Sequence, residues 1–357
     1  MTGTPRKTAA RTAAAAPASP PRTRPAAARR RGTVSVHPVG GSAAVAWMEQ
    51  QWPALHRHDP AATPFGSPQW LLGWAAQLPA SASLLLLIAV DRSGVLGALA
   101  LQHEDLGDGT TAVRTMPYCE YVTPVGSGAQ ECHVAEALAS RLTGLARDGT
   151  VVTLQNVPAG SPLGTALRTK PGWRHTMSRT AVVPLPLNMA TLSKSLRRQH
   201  ARRERALAET GPVAYRRTRT TGGLLDAIPA LETLYSLQRE TDGRGPAPQA
   251  WTEVLRQCGD SAFIAEATLD GALMASQLCL FRGRHCYSVL PAMNPAMRHL
   301  APGHALLRWL TGDLATSGFT CLDLGPTRDT PGQIEYKSQY SPLWGVNLSS
   351  FADGSTC

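Results

Sequence analysis

Beyond residue 33 the apolar positions follow two patterns: strict alternation over short runs, and spacings of three or four over longer ones. The clearest helical stretch is 130–147, where Val134, Leu138, Leu142 and Leu145 line one face of a 3.6-residue repeat. SLLLLIAV (83–90) is a short apolar run bounded by polar residues. It reads as a buried strand, since a membrane span needs roughly 18 apolar residues. The first half then reads as a strand at 33–38, helices at 43–55 and 67–77, strands at 83–90, 95–102 and 111–117, a helix at 130–147, and strands at 150–155 and 180–186. The second half repeats the order: strand 213–219, helices 224–240 and 247–257, strands 261–268, 272–281 and 285–292, helix 303–317, strand 319–324, a short helix after Gly332, and strand 343–350. IAVDRSGVLGALAL (88–101) and IAEATLDGALMASQLCL (264–280) both read as strand, turn, strand, which indicates an internal duplication. Helices alternating with strands that include a three-strand meander predict an α/β (α+β) fold with a mixed sheet.

Between the halves lies SKSLRRQHARRERALAETGPVAYRR (193–217), with Ser193 as a helix cap. Leu192, Leu196 and Leu207 give it a sparse apolar edge, while Lys194, Arg197, Arg198, Arg202, Arg203 and Arg205 face one acid, Glu204. A charge run is commonly a solvated face. Six cations on about three turns also create a field that favours phosphates, so Arg197 and Arg198 are candidate substrate contacts.

The net charge of +10 sits mostly outside these halves. Residues 1–36 hold eight cations and no acid in an Ala, Pro, Thr and Arg background, the composition of a disordered basic tail. The tail lacks the apolar segment of a secretory signal, and RNA contact through it is open on charge alone. The expected division is therefore a tail at 1–36, an acceptor-side domain at 37–190 and a donor-side domain at 191–357. Seven scattered cysteines without a C-x-x-C pair indicate neither a disulfide framework nor a zinc knuckle, and fit a reducing cytoplasm. His56, Arg57, His58 and Asp59 give two histidines that diverge on a helix with no third ligand, a poor metal site. Cys279 and Cys286, and Trp70, Trp74 and Trp309, fall in apolar patterns and read as core.

Three motifs carry chemistry. LAPGHALLRWL (300–310) starts a helix at Pro302-Gly303, where free backbone N–H groups suit an anion. DLGPT (323–327) ends a strand in Asp323 and turns at Gly325, so a loop through Thr327 and Asp329 is expected to be exposed beside that helix start. GQIEYKSQY (332–340) supplies Tyr336 and Lys337. In the first half MPYCEYVTP (116–124) clusters Tyr118, Glu120 and Tyr121 at a strand end, and GSGAQE (126–131) is the counterpart of the Pro-Gly helix start.

In this order, with the basic S-L-R-R-x-x-x-R-R helix between halves, the motifs resemble the GNAT-fold acyltransferases of the CelD-like and Fem-like (FemAB) group over most of residues 40–350. The resemblance implies two tandem GNAT-like domains and N-acyl transfer. The donor would be acyl-CoA or aminoacyl-tRNA, and the acceptor an amine of a small molecule or of a cell-envelope or polysaccharide precursor. Arg298, Pro302, Gly303, His304 and Ala305 would hold the donor, although the GNAT coenzyme A loop resembles Q/R-x-x-G-x-G/A and this chain has Leu300 at the first position. Lys337 would bind phosphate or stabilise an oxyanion, with Asp323 beside it and Glu120 as general base. Tyr118, Tyr121, Gly325, Thr327 and Tyr336 would contact substrate. The rival readings are an RNA-binding protein working through the tail and basic helix, and a noncatalytic GNAT-like scaffold in polysaccharide assembly.

Overall fold

Two copies of one element order run along the chain. The first comprises β1 (Ser35–Gly40), α1 (Gly41–His58), α2 (Pro68–Ala75), β2 (Ala82–Asp91), β3 (Gly94–Gly107), β4 (Thr110–Thr115), α3 (Cys132–Arg147), β5 (Val151–Pro158), α4 (Pro162–Thr169) and β6 (Arg174–Pro184). Helix α5 (Lys194–Thr210) leads into the second: β7 (Val213–Arg217), α6 (Thr221–Thr241), α7 (Trp251–Cys258), β8 (Ala262–Leu269), β9 (Ala272–Arg282), β10 (His285–Met293), α8 (Pro302–Thr316), β11 (Cys321–Thr327), α9 (Pro331–Ser338) and β12 (Leu343–Ala352). The computed structural model describes residues 33–107, 109–243, 250–327 and 330–354. The tail expected at 1–36 therefore lies outside the described residues up to 32, while Ser35 and Val36 belong to β1. The start of the helix expected at 247 is likewise outside them.

Twelve strands form one mixed sheet in the order β1-β2-β3-β4-β5-β12-β6-β11-β10-β9-β8-β7. The last strand of each half is exchanged: β12 pairs with β5 and β6, and β6 pairs with β11. Residues from Val34 onward accordingly form a single compact unit.

On one face, α1, α2, α6 and α7 share a core drawn from both halves. On the other, α3 packs over the first half and α8 over the second. Helices α2 and α7 touch at Gly73, where an added Cβ would stand 3.1 Å from the Val254 Cα, so a larger residue would press the α7 backbone outward by a few tenths of an ångström. Trp251 of α7 lies edge-on to Trp74 of α2 at 5.1 Å and is fully buried. Trp251→Ala should cost about 3–5 kcal/mol, and both halves should melt in one transition lowered by several degrees. Two separated calorimetric transitions in the wild type would contradict the shared core.

Two features escaped the periodicity reading. Helix α4 is only eight residues long, but it is announced by Ser161, whose Oγ accepts the Gly164 N–H at 3.0 Å, with Pro162 at the first helical position. β6 begins at Arg174 rather than near 180 because Arg174–Arg179 lie against β12 from the other half, a pairing that demands no apolar alternation.

Candidate active site

Strands β10 and β11 run parallel for only three residue pairs, ending at Tyr287 and Asp323. Beyond them β10 bulges between Ser288 and Leu290 against β9, and β11 bulges between Asp323 and Pro326 against β6. The strands part there, and a cavity of about 490 Å³ lies at the opening. Val289, Leu324 and Pro326 line it from the two strands, Gly303 from α8, Tyr336 and Lys337 from α9, and Glu120 from the first half. Gly303 and Lys337 thus meet on one cavity, as the motif order implied.

In the first half β4 and β5 also pair over only three residues. There the chain after β4 crosses toward β3: Asn156 of β5 donates to the Cys119 carbonyl and accepts the Val122 N–H through its own carbonyl, and Val125 bridges to Ala98. Four amides of the 126–131 segment are used within the fold, among them Gly126 donating to the Asp59 carboxylate and Gly128 to the Leu96 carbonyl. This crossing segment carries Glu120 and Tyr121 to the other half.

Tyr121 donates to Asp323 Oδ2 at 2.6 Å and is paired through its hydroxyl with Thr180 at 2.5 Å. Asp323 Oδ1 accepts the Gly325 N–H at 2.7 Å, fixing the β11 turn. Burial raises the Asp323 pKa, against the opposing pull of these hydrogen bonds and of Lys337. Asp323 is therefore a fastener between halves and within the bulge.

Lys337, buried to 9% exposure, donates from Nζ to the carbonyls of Leu324, Gly325 and Pro326 at 2.7, 2.9 and 2.9 Å. Desolvation lowers its pKa to about 8, while Glu120 and Asp323 pull it back up. Three acceptors require three N–H bonds, which only the ammonium form has. The charge is thus held against the bulge, and no Nζ donor remains for an oxyanion in this arrangement.

Glu120 differs. Its Oε2 is sealed from solvent and has no hydrogen-bond partner. Burial drives its pKa well above the ordinary carboxylate value, the Asp323 charge adds to the rise, and Lys337 opposes it. Gly325, at φ +71°, leaves room for it: a Cβ there would meet Glu120 Oε2 at 2.6 Å. Gly325→Ala should both strain the backbone by about 1 kcal/mol and push the carboxylate aside. The expected result is a turnover loss of about 10²-fold with a small drop in Tm; retained turnover would show that the carboxylate position is unimportant.

The donor-side residues are arranged less openly than the sequence suggested. A 3-10 turn, Pro295–Leu300, separates β10 from α8, so the helix does not follow the strand directly. Pro302 has no N–H, and the His304 and Ala305 amides both go to the Ala301 carbonyl. Gly303 is left as the amide at this end that no backbone acceptor takes up. Arg298 pairs with Asp242 at 2.9 Å. His304 packs on Tyr336 with ring centroids 4.4 Å apart and pairs its Nδ1 with the Tyr340 hydroxyl; burial holds its pKa down to about 3. Tyr336 donates to the Gly303 carbonyl at 3.3 Å and so joins α9 to α8.

Of the other residues singled out, Tyr118 stacks on Trp74 at 4.4 Å inside the shared core, which takes it away from the cavity. Thr327 is 1% exposed because β11 continues through it, so the loop is not exposed there; Asp329 lies outside the described residues. Arg197 donates from Nη1 to the Leu192 carbonyl at 2.8 Å, with the Met189 and Ala190 carbonyls farther off at 3.3 and 3.4 Å, and so braces the entry to α5. Arg198 lines a separate groove. Sequence reasoning missed Thr180 and Gln238. Gln238 lines the cavity and accepts the Met293 N–H at 2.9 Å, and no local pattern marks either residue.

Comparison with known proteins agrees with this architecture. Residues 194–338 match the acetyltransferase (GNAT) domain family. Among curated proteins none matches the chain in sequence. FemX superposes with a TM-score of 0.59 at 12% identity, over 85% of this chain and 94% of that one. The C-terminal domain of a protein assigned as a lysylphosphatidylglycerol synthetase from Agrobacterium fabrum gives 0.58 at 12% identity, over 86% and 92%. L-PGS from Bacillus licheniformis gives 0.52 at 15% identity, over 86% and 90%. Residues 194–338 therefore resemble the acetyltransferase (GNAT) domain family, and the chain as a whole has the fold of FemX, built of two GNAT-like halves.

Proposed function

We propose that this protein is an N-acyltransferase that moves an acyl or aminoacyl group from an activated carrier to an amine, with Glu120 as general base. The observation that carries this reading is the Glu120 carboxyl group, which the first half delivers to the lining of the second half's cavity, with Oε2 sealed and unpaired behind it against Gly325. Glu120 takes the proton as the amine nitrogen bonds to the acyl carbonyl carbon, and the bond from that carbon to the carrier's sulfur or oxygen then breaks. Asp323, Tyr121 and Lys337 act by fixing the bulged wall, so that proximity supplies much of the rate.

Two carriers remain, each with its own support. An aminoacyl-tRNA suits the single free amide at the start of α8 and the His304–Tyr336 contact that closes α8 against α9. Acyl-CoA is the typical donor of the GNAT family and is favoured by the domain match and by Gly303 at the cavity. The acceptor class proposed is an amine of a small molecule or of an envelope precursor. One protein of similar fold is named as a lysylphosphatidylglycerol synthetase, which supports aminoacyl transfer; phosphatidylglycerol itself offers hydroxyls, so the amine acceptor rests on the Glu120 base alone. Incubating purified protein with acyl-CoA thioesters or charged tRNA, plus an amine panel, should give donor consumption that Glu120→Gln abolishes. Consumption unaffected by that change would overturn the proposal.

A further inference from the structure

Helix α9 has a second side. Away from Lys337, its residues Glu335 and Ser338, with Gln339 just beyond, form one wall of a groove of about 640 Å³ whose other wall is α5. Arg198 and Arg202 line it from α5 four residues apart, so their guanidinium groups rise from one face of the helix. Three neighbouring charged residues of α5 already have partners. Arg197 braces carbonyls before the helix, Arg203 donates to Gln339 Oε1 at 2.7 Å, and Glu204 pairs with Arg308 at 2.8 Å. Among the described residues no carboxylate pairs with Arg198 or Arg202. Two cations against the one acid Glu335 leave the lining net positive.

The rest of the lining is Leu196 and small polar side chains. Ser338 contributes a hydroxyl and Gln199 an amide, while the Ser193 and Ser195 hydroxyls pair with each other at 2.9 Å. Since Gln339 spends its side-chain oxygen on Arg203, its NH₂ is the part left for a ligand. No aromatic ring lines the groove, so it has no platform on which to stack a base. Arg203 and the approach of His200 Nε2 to the Gln339 carbonyl at 3.3 Å tie α5 to α9 and hold the walls in place.

We propose that this groove binds a phosphate ester, distinct from any anion at the start of α8, with Arg198 and Arg202 as the paired guanidinium clamp. It goes beyond the transfer chemistry but shares α9 with it: the helix that carries Lys337 to the cavity also forms the phosphate wall. A donor whose carrier is polyanionic could then be gripped on one side of α9 while its acyl end reaches the other. The shared chemistry has two sources, the phosphodiester backbone of an RNA strand and the phosphates of coenzyme A.

The test uses the full chain and three probes: a fluorescein-labelled 12-nucleotide single-stranded RNA, coenzyme A, and dephospho-coenzyme A. Binding of each is compared between wild type and the double variant Arg198→Gln/Arg202→Gln. If RNA is the source, the variant binds it about tenfold more weakly, and the slope of log K against log salt shrinks by about 1.4, two phosphate contacts' worth for a single strand. The basic tail is the same in both proteins and drops out of the comparison. If coenzyme A is the source, the variant loses affinity for coenzyme A and matches wild type with the dephospho form. Equal affinity of wild type and variant for all three probes, with unchanged Tm, overturns the groove. Glu120→Gln should bind every probe as wild type does, so a failed groove and a failed reaction are read separately.

Discussion

Glu120→Gln is expected to lower turnover by about 10²–10⁴-fold while leaving KM for the donor within a few fold, because the amide cannot take the proton from the attacking amine. The pH profile gives the sharper check. Burial raises the Glu120 pKa well above its usual 4.5, so wild-type turnover should climb with pH through that raised value as the base ionises. The variant's residual rate should be flat over the same range. Stability should move in the opposite direction. A carboxyl whose folded pKa is raised holds its proton more tightly in the native state, a contribution fully present below the unfolded value and lost as pH rises through the folded one. Wild type should therefore lose stability as pH climbs upward from about 4.5, relative to a glutamine variant that keeps a neutral group in the same site. A variant that is slower yet gains Tm over wild type toward neutral pH would be the signature of a buried catalytic base. Equal turnover of the two proteins would remove Glu120 from the mechanism.

Lys337→Met should damage both fold and rate. Its Nζ satisfies three carbonyls of the β11 bulge, and methionine fills similar space without a donor. Leaving these groups unpaired should cost roughly 3 kcal/mol and several degrees of Tm. Because the bulge residues Leu324 and Pro326 line the cavity, turnover should fall by about 10²-fold or more. Lys337→Arg should not restore it, since a planar fork cannot address three carbonyls set around one nitrogen. Circular dichroism melts beside a rate assay decide the role. Loss of rate with Tm unchanged would mean that the amine acts on the reacting group itself and that its hold on the bulge is incidental.

Much of the fold was legible along the chain. The meander at 83–117 and the helix at 130–147 follow from local periodicity, because in both the side chains that face the core alternate with a fixed period. The duplication was legible for the same reason, since both copies bury equivalent faces. The exchange of β6 and β12 was not. A strand's period records which faces are buried and carries no record of which neighbour supplies its hydrogen bonds.

The site divides in the same way. Sequence alone placed Gly303 at a helix start, Gly325 after Asp323, and Lys337 on a short helix, since Pro, Gly and strand-end acids act within a few residues. It could not tell that Lys337 would be spent on three carbonyls, that Asp323 would take the Tyr121 hydroxyl 202 positions away, or that Tyr118 would turn into the shared core while Glu120 turned into the cavity. Those outcomes depend on burial and on partners brought together by the sheet. Only the tertiary structure decides whether a charged side chain finds its hydrogen bonds in its own backbone or keeps one oxygen in reserve.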